Sequence, residues 1–273
     1  MPENASFLGR TAVVTGVGRR IGIGFAIARR LVASGASVFI AQYAEHDRRQ
    51  PWGADPAGSD ALLAELAGFA VSAKQRFGRL DIDLAEVGAP ERLIERARET
   101  VGPIDTLICN HAQSGSDGPL GGLTAEMLDS HYAVNTRSSI LLAQAFFAAF
   151  EPADQTQAPA GRIVFLTSGQ DLGPMPGEVA YAAAKGAISS IVPTLADQLA
   201  DHGITVNAVN PGPVDTGYAD EKTKREVTKR MPNGRWGEGD DAARLIVWLC
   251  SDDARWITGQ VINSEGGFRR WGA

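Results

Sequence analysis

The stretch Thr11-Ala12-Val13-Val14-Thr15-Gly16-Val17-Gly18-Arg19-Arg20-Ile21-Gly22-Ile23-Gly24, followed at once by Phe25-Ala26-Ile27-Ala28-Arg29-Arg30-Leu31-Val32, decides the fold. A short, continuous run of β-branched residues reads as a strand buried on both faces. An apolar stripe at helical spacing comes next. The glycines between them let the backbone turn sharply and approach a pyrophosphate closely. A helix N-terminus at that point offers free N–H groups and the positive end of a dipole. The stretch therefore predicts a strand–turn–helix unit that binds a dinucleotide, with Gly16, Gly18, Arg19, Arg20, Ile21, Gly22 and Ile23 around the phosphates.

The same alternation continues outward from that unit. Strands are expected at Thr11–Thr15, Ser37–Gln42, Leu80–Asp83, Thr106–Asn110, Gly161–Thr167, Ile204–Val209 and Val261–Ser264. Helical patterns fall at Gly22–Ser34, Asp60–Phe77, Pro90–Val101, Thr124–Phe150, Tyr181–Asp201 and Asp240–Cys250. Strands alternating with helices predict an α/β fold: a Rossmann-type, doubly wound parallel sheet of about seven strands with helices on both faces. Ligands are then expected at the carboxyl ends of the strands, where the strand order reverses. Pro51, Gly53, Pro56 and Gly58 mark Ala44–Ser59 as a surface loop. Glu151–Ala160 is polar, with two prolines, and is expected to connect a helix to a strand. No repeat or linker divides the chain, so residues 1–273 are taken as one domain. The charged stretch 215–232 is expected to be a short helix or a substrate lid.

Composition narrows the classes of function. The 273 residues are 44% hydrophobic, with 26 Lys and Arg against 32 Asp and Glu and a net charge of −6. A mildly acidic chain argues against general nucleic-acid binding. Cys109 and Cys250 each sit in an apolar run and read as small buried hydrophobes. They form neither a disulfide framework nor a metal-ligand spacing, so no metal is expected. The N-terminus lacks a basic region followed by an apolar run. No segment offers the ~20 consecutive apolar residues that span a bilayer. A soluble, cytoplasmic protein without membrane contact is the expectation.

The cofactor is read from the end of the second strand, Phe39-Ile40-Ala41-Gln42-Tyr43. An NAD site usually places an acid there to accept from the ribose hydroxyls. Here none comes before Glu45, while Arg19, Arg20, Arg48 and Arg49 lie nearby. Cations suit the 2′-phosphate of NADP, so NADP is favoured and NAD is the alternative.

The chemistry is read from Ser168 and from Tyr181-Ala182-Ala183-Ala184-Lys185. Tyr181 and Lys185 are four residues apart and share a helical face. Ser168 closes the fifth strand, thirteen residues before Tyr181. Hydride transfer to a ketone leaves an alkoxide that needs a proton. A phenol has a pKa of about 10, and a nearby ammonium lowers it. Ser168 is expected to hold the substrate oxygen beside the phenol.

With these residues in place, the sequence resembles the short-chain dehydrogenase/reductase family, in its single-domain branch, over nearly its whole length. The likeness rests on the glycine turn, Ser168, Tyr181 and Lys185, and on Asn135 in Tyr132-Ala133-Val134-Asn135. It extends to Pro211-Gly212-Pro213-Val214-Asp215-Thr216 and to Trp256-Ile257-Thr258-Gly259-Gln260-Val261-Ile262 with Gly266-Gly267. The chain looks most similar to 3-oxoacyl-[acyl carrier protein] reductases and their relatives. The resemblance implies that Tyr181 is the acid/base, Lys185 its partner on the nicotinamide ribose, Ser168 the oxygen binder and Asn135 the anchor of a water relay. It also implies that Asp83 contacts the adenine, that Asn110 lies beneath the cofactor, and that Val214 and Thr216 meet the carboxamide. Tyr43, Leu84, Ala112, Pro211 and Gly212 then border the same cofactor. On the residues alone, Asn135 would be a polar residue inside a helix and Asp83 a strand-end cap.

The sequence also departs from the family pattern. Five residues rather than three separate Gly16 from Gly22, and Asn110-His111-Ala112-Gln113 stands where many members have Asn-Asn-Ala-Gly. Gln113 is expected near the nicotinamide or the substrate, and His111 to be an ordinary strand-end histidine. Pro193 is expected to bend its helix. Gln170, Met175, Glu178 and Tyr218 are expected to line the substrate pocket. The resulting expectation is an NADP(H)-dependent reduction of a ketone, including a carrier-bound 3-oxoacyl thioester, to a secondary alcohol. The alternatives are an NAD-dependent alcohol or sugar dehydrogenase and a non-catalytic dinucleotide-binding regulator. An enoyl reductase would space its Tyr and Lys more widely. The resemblance implies a homotetramer or homodimer built partly on the Thr124–Phe150 and Tyr181–Asp201 helices.

Overall fold

The computed structural model describes residues 7–151 and 160–271. Seven strands form one parallel sheet: β1 (Thr11–Thr15), β2 (Ser37–Gln42), β3 (Phe77–Asp81), β4 (Thr106–Cys109), β5 (Gly161–Leu166), β6 (Ile204–Asn210) and β7 (Val261–Asn263). Their order is β3-β2-β1-β4-β5-β6-β7. The chain winds outward from β1 to β3, then crosses back to lay β4 on the other side of β1. A crevice opens between the carboxyl ends of β1 and β4, as this topology dictates.

Both faces of the sheet are covered. Along a strand, consecutive side chains leave by opposite faces. Val14, Val38, Ile40, Ile108 and Val164 therefore pack with α1 (Ile23–Ala33), whose Ile27 and Leu31 lie in the same cluster. Val13, Phe39, Leu107, Ile163 and Phe165 pack on the other face, with residues of α4 (Ala89–Val101). Each strand is thus apolar on both sides, which is why the strand runs are continuous rather than alternating.

Several expectations need correction. Ala44–Ser59 is not loop throughout: α2 (Ala44–Arg49) occupies its first part. The helix expected to reach Phe77 is α3 (Gly58–Ala67), and it stops at Gly68; Phe77 opens β3, three residues before the expected start. The pattern over Thr124–Phe150 divides into α5 (Ala125–His131), a π-helical segment Tyr132–Arg137, and α6 (Ser138–Ala149). The stretch 215–232 contains a helix, α8 (Glu221–Arg230), and α9 (Gly239–Leu249) follows it. The connector expected over Glu151–Ala160 lies, for residues 152–159, outside the described residues, as does the N-terminal Met1–Ser6.

Helix α7 (Val179–Ala200) carries Tyr181 and Lys185 and continues through Pro193. By length and composition it would be able to cross a bilayer, which amends the expectation that no segment can. It contains buried Lys185 and packs on β6, as a core helix does. Cys109 and Cys250 are free and buried, as expected.

Candidate active site

The glycine turn leaves β1 at Gly16, whose φ is +71°, a value that favours glycine. A side chain at Gly16 or Gly24 would meet Asn110 Nδ2 at 2.7 Å. Asn110 itself donates to the carbonyls of Thr15 (2.9 Å) and Gly16 (3.0 Å), fastening the turn to the end of β4. Gly22 caps α1 without a side-chain bond, and no acid stands in the helix's first turn. The N-terminal N–H groups of α1 are thereby left for an anion.

Beside this turn lies a cavity of about 380 Å³, lined by Gly16, Gly18, Tyr43, Asp83, Leu84, Ala112 and Gln113. These residues, named from sequence, share one wall system. His46 and Asp47 line it as well. They were missed because their stretch was read as loop; no local signal placed α2 over the glycine turn. Gln113 borders this cavity, and its amide donates to Ser130 Oγ (2.9 Å). His111 is buried: Nδ1 pairs with Thr15 Oγ1 (2.7 Å) and Nε2 with Ser138 Oγ (2.7 Å). Burial pushes it down to about 3, so it stays neutral, and it also lines the cavity.

The arginines expected at the phosphates divide. Arg20 turns away to Asp55 and Glu65. Arg48 and Arg49 both pair with Glu45, at 2.7 and 2.9 Å. Arg19 lies over Trp52, 5.6 Å from the ring centre, under the field of Asp47. The expectation that several cations gather at one phosphate is therefore corrected: in this structure the acids hold most of them. Ile21 is half-exposed beside Gly217.

At the carboxyl end of β5, the phenol of Tyr181 lies beside Ser168. Lys185 is 3% exposed, and its Nζ donates to the Leu166 carbonyl (2.8 Å) while lying 5.9 Å from the Tyr181 ring centre. Burial pushes Lys185 down to about 8 and Tyr181 up to about 12. The expected lowering of the phenol by the ammonium is thus reversed here: burial dominates, and the ammonium points to a carbonyl. Asn135 is fully buried and bonded to the backbone of Gln113 in both directions, Oδ1 accepting at 2.8 Å and Nδ2 donating at 3.1 Å. No hydrogen bond joins its side chain to Lys185, so the side chain holds a loop. The π-helical segment around it is the local widening that frees it to do so.

The residues expected to touch substrate separate too. The Gln170 amide is used by Thr167, Asp171 and Ser189, at 3.1, 2.8 and 2.9 Å. Tyr218 is 49% exposed and packs edge-on between Trp52 (6.3 Å) and Trp236 (6.2 Å). Gly212, at φ +66°, donates its N–H to Asn210 Oδ1 (3.0 Å) and abuts Glu265; Val214 bridges to Gly237. Pro211, Val214 and Thr216 do not reach the cavity by the glycine turn. The C-terminal segment folds back over this region. Arg269 N donates to Arg230 O (3.0 Å), and Arg270, paired with Glu265, lies against Gly169 and Gly173.

The arrangement is similar to known proteins throughout. Residues 16–269 match the family profile described as Enoyl-(Acyl carrier protein) reductase. An uncharacterized oxidoreductase of Bacillus subtilis, YjdA, is 42% identical over 96% of this chain and 97% of its own. A short-chain dehydrogenase from Burkholderia cenocepacia, solved in complex with NADP, superposes with a TM-score of 0.81 at 30% identity, over 96% of this chain and 98% of its own. The reductase LugOII, which catalyses keto-reduction at C1 during lugdunomycin biosynthesis, gives the same TM-score, identity and coverages.

Proposed function

Because the chain belongs to the short-chain dehydrogenase/reductase family of oxidoreductases, we propose that it reduces a ketone to a secondary alcohol with NADP(H), with Tyr181 as proton donor. One observation carries the reading: the Tyr181 phenol beside Ser168, with Lys185 one helical turn on, at the carboxyl end of the sheet. The cavity suits the adenosine and pyrophosphate part of a dinucleotide, since its wall is the glycine turn, where a side chain at Gly16 would strike Asn110 and His111. Gly16, Gly18, Ile23 and the N-terminus of α1 would hold the pyrophosphate, Asp83 and Leu84 the adenosine half, and Lys185, Val214 and Thr216 the nicotinamide half. When bound, the reduced nicotinamide supplies the hydride.

The chain's own residues then manage the proton. A phenol pushed up to about 12 is protonated at neutral pH, so it is poised as an acid. Ser168 holds the carbonyl oxygen and the phenol in one line. As the carbonyl carbon gains the hydride, the O–H bond of Tyr181 breaks and its proton passes to the oxygen. Solvent then reprotonates the phenolate, with Lys185 offsetting its charge. The three residues between Tyr181 and Lys185 favour a ketone over an enoyl substrate. The chain would work as one unit, with 215–232 covering the substrate. Its substrate class includes 3-oxoacyl thioesters, diketones and cyclic ketones.

A second reading, NAD in place of NADP, has its own observation. Asp47 lies against Gly18, and the Oε1 of buried Gln42 has no hydrogen-bond partner. Two acceptors at the end of β2 suit a ribose diol better than a phosphate. The test is turnover of a panel of β-ketoacyl thioesters, diketones and cyclic ketones with NADPH and NADH, with fluorescence titration of both cofactors. We expect turnover that Tyr181→Phe lowers by about 10²-fold or more, with cofactor binding kept. Equal turnover by Tyr181→Phe would overturn the reading, and a preference for NADH above about tenfold, near 1.4 kcal/mol, would select the second.

A further inference from the structure

Helix α7 begins without a cap of its own. Its N-cap residue, Glu178, makes no side-chain bond to the helix, and no acid follows in the first turn. Yet the N–H groups that such an end leaves open are taken. Asp117, from the loop after β4, accepts from Ala180 N (2.9 Å) through Oδ1 and from Tyr181 N (2.7 Å) through Oδ2. It also accepts from Gly118 N (2.7 Å). Burial raises its carboxyl, and those backbone donors outweigh it, so the net shift is downward and the carboxylate form is held.

The loop that presents Asp117 is itself fixed from behind. Gln113 is gripped by Asn135 through two bonds. The Gly115 carbonyl pairs with His131 Nε2 (2.9 Å), and the His131 ring stands edge-on to Tyr181 at 6.1 Å. Ser116 takes a φ of +49°, alone among non-glycine residues described. Such strain persists only where the surroundings over-determine it. The loop therefore ties the π-helical segment to the first turn of α7, at the residue whose phenol must meet Ser168.

We infer that Asp117 is the positioning residue of the site: a cap supplied from across the fold that sets where the Tyr181 phenol stands. The inference rests on Tyr181 being the proton donor. It explains why a long helix starts at its working residue without a local cap. Removing Asp117 frees the first turn, and the phenol leaves its place beside Ser168 and the desolvation that raises it. A wandering phenol costs turnover while leaving the adenosine cavity alone.

Two readouts test it, one without turnover. Alkaline near-ultraviolet titration of the chain minus that of its Tyr181→Phe variant isolates the Tyr181 phenol. In the parent, that phenol is pushed up to about 12. Asp117→Ala is expected to bring it back toward the ordinary value, about 10, with Asp117→Asn, which keeps one accepting oxygen, in between. Thr124→Ala serves as the control, since Thr124 caps α5 by accepting from Met127 N (3.3 Å); it should lower stability and leave the phenol unmoved. With NADPH and a β-ketoacyl thioester, Asp117→Ala should lower kcat by about tenfold or more, leave the KM for NADPH unchanged, and be largely rescued by Asp117→Asn. An unshifted phenol in Asp117→Ala, or an equal shift in Thr124→Ala, overturns the inference. Full activity in Tyr181→Phe overturns the underlying reading instead, and the titration still decides whether Asp117 sets the phenol.

Discussion

Lys185 sits where its charge is costly. Its Nζ is buried, with the Leu166 carbonyl as hydrogen-bond partner, and burial pulls it from 10.5 to about 8. At pH 7, below both values, it is protonated in the folded and the unfolded chain, so the folded state bears the whole cost of burial. As pH climbs through 8, the folded lysine sheds its proton before the unfolded one does, and the cost fades. Lys185→Met is therefore expected to raise Tm at pH 7 while abolishing turnover, with an advantage that shrinks between pH 8 and 10.5. Thermal unfolding followed by circular dichroism across that range checks it; a Met variant less stable at pH 7 would refute the burial cost. Such a trade is common where function sets a residue against stability. From sequence, the pair Tyr181 and Lys185 was legible because helical spacing alone puts them on one face. Asn135's bonds to Gln113 were not, because no local rule sends a helical asparagine to the backbone of Gln113.

Among elements, the two ends of the sheet have different work. The carboxyl ends hold the crevice; the amino ends are pinned by Asp105. Its carboxylate accepts from Thr11 N (2.7 Å), Arg10 Nε (3.0 Å) and Thr106 Oγ1 (2.8 Å), joining the starts of β1 and β4. Asp105→Ala is expected to lower unfolding free energy by about 1–3 kcal/mol, with kcat and cofactor KM unchanged, as read by urea denaturation and steady-state kinetics. A change in kinetics without a change in stability would contradict this division. Strands were easily read, since runs such as Gly161–Leu166 are apolar on both faces. Helix α3 was read too long because Phe69 and Val71 extend its apolar pattern past Gly68, where the helix stops. Helix α2 was hidden by the Pro and Gly residues just beyond it, and with it Asp47, the acid that complicates cofactor choice. The π-helical segment adds a residue to a turn, which a 3.6-residue period cannot register.

For the whole molecule, the outer face of α6 leaves apolar surface uncovered in a single chain. Phe147 on α6 is 38% exposed and packs edge-on to His202 at 4.7 Å. A homotetramer or homodimer would cover it, so Phe147→Glu is expected to shift the sedimentation of the protein toward a smaller species without unfolding it. A parent that already sediments as a monomer would remove that expectation. The global fold was legible because connectivity and buried strands leave few topologies. Contacts between distant segments, such as Asp117 with Tyr181 or Arg20 with Asp55, lie beyond any window of sequence. The same holds for the final segment, where Arg269 grips Arg230 at the end of α8 and Arg270 rests on the loop after Ser168. On the proposed function, substrate choice and Arg269–Arg270 are mechanically joined. Drift at these two positions among homologous enzymes is then expected to retune which carbonyl compounds are admitted while leaving the reacting groups intact.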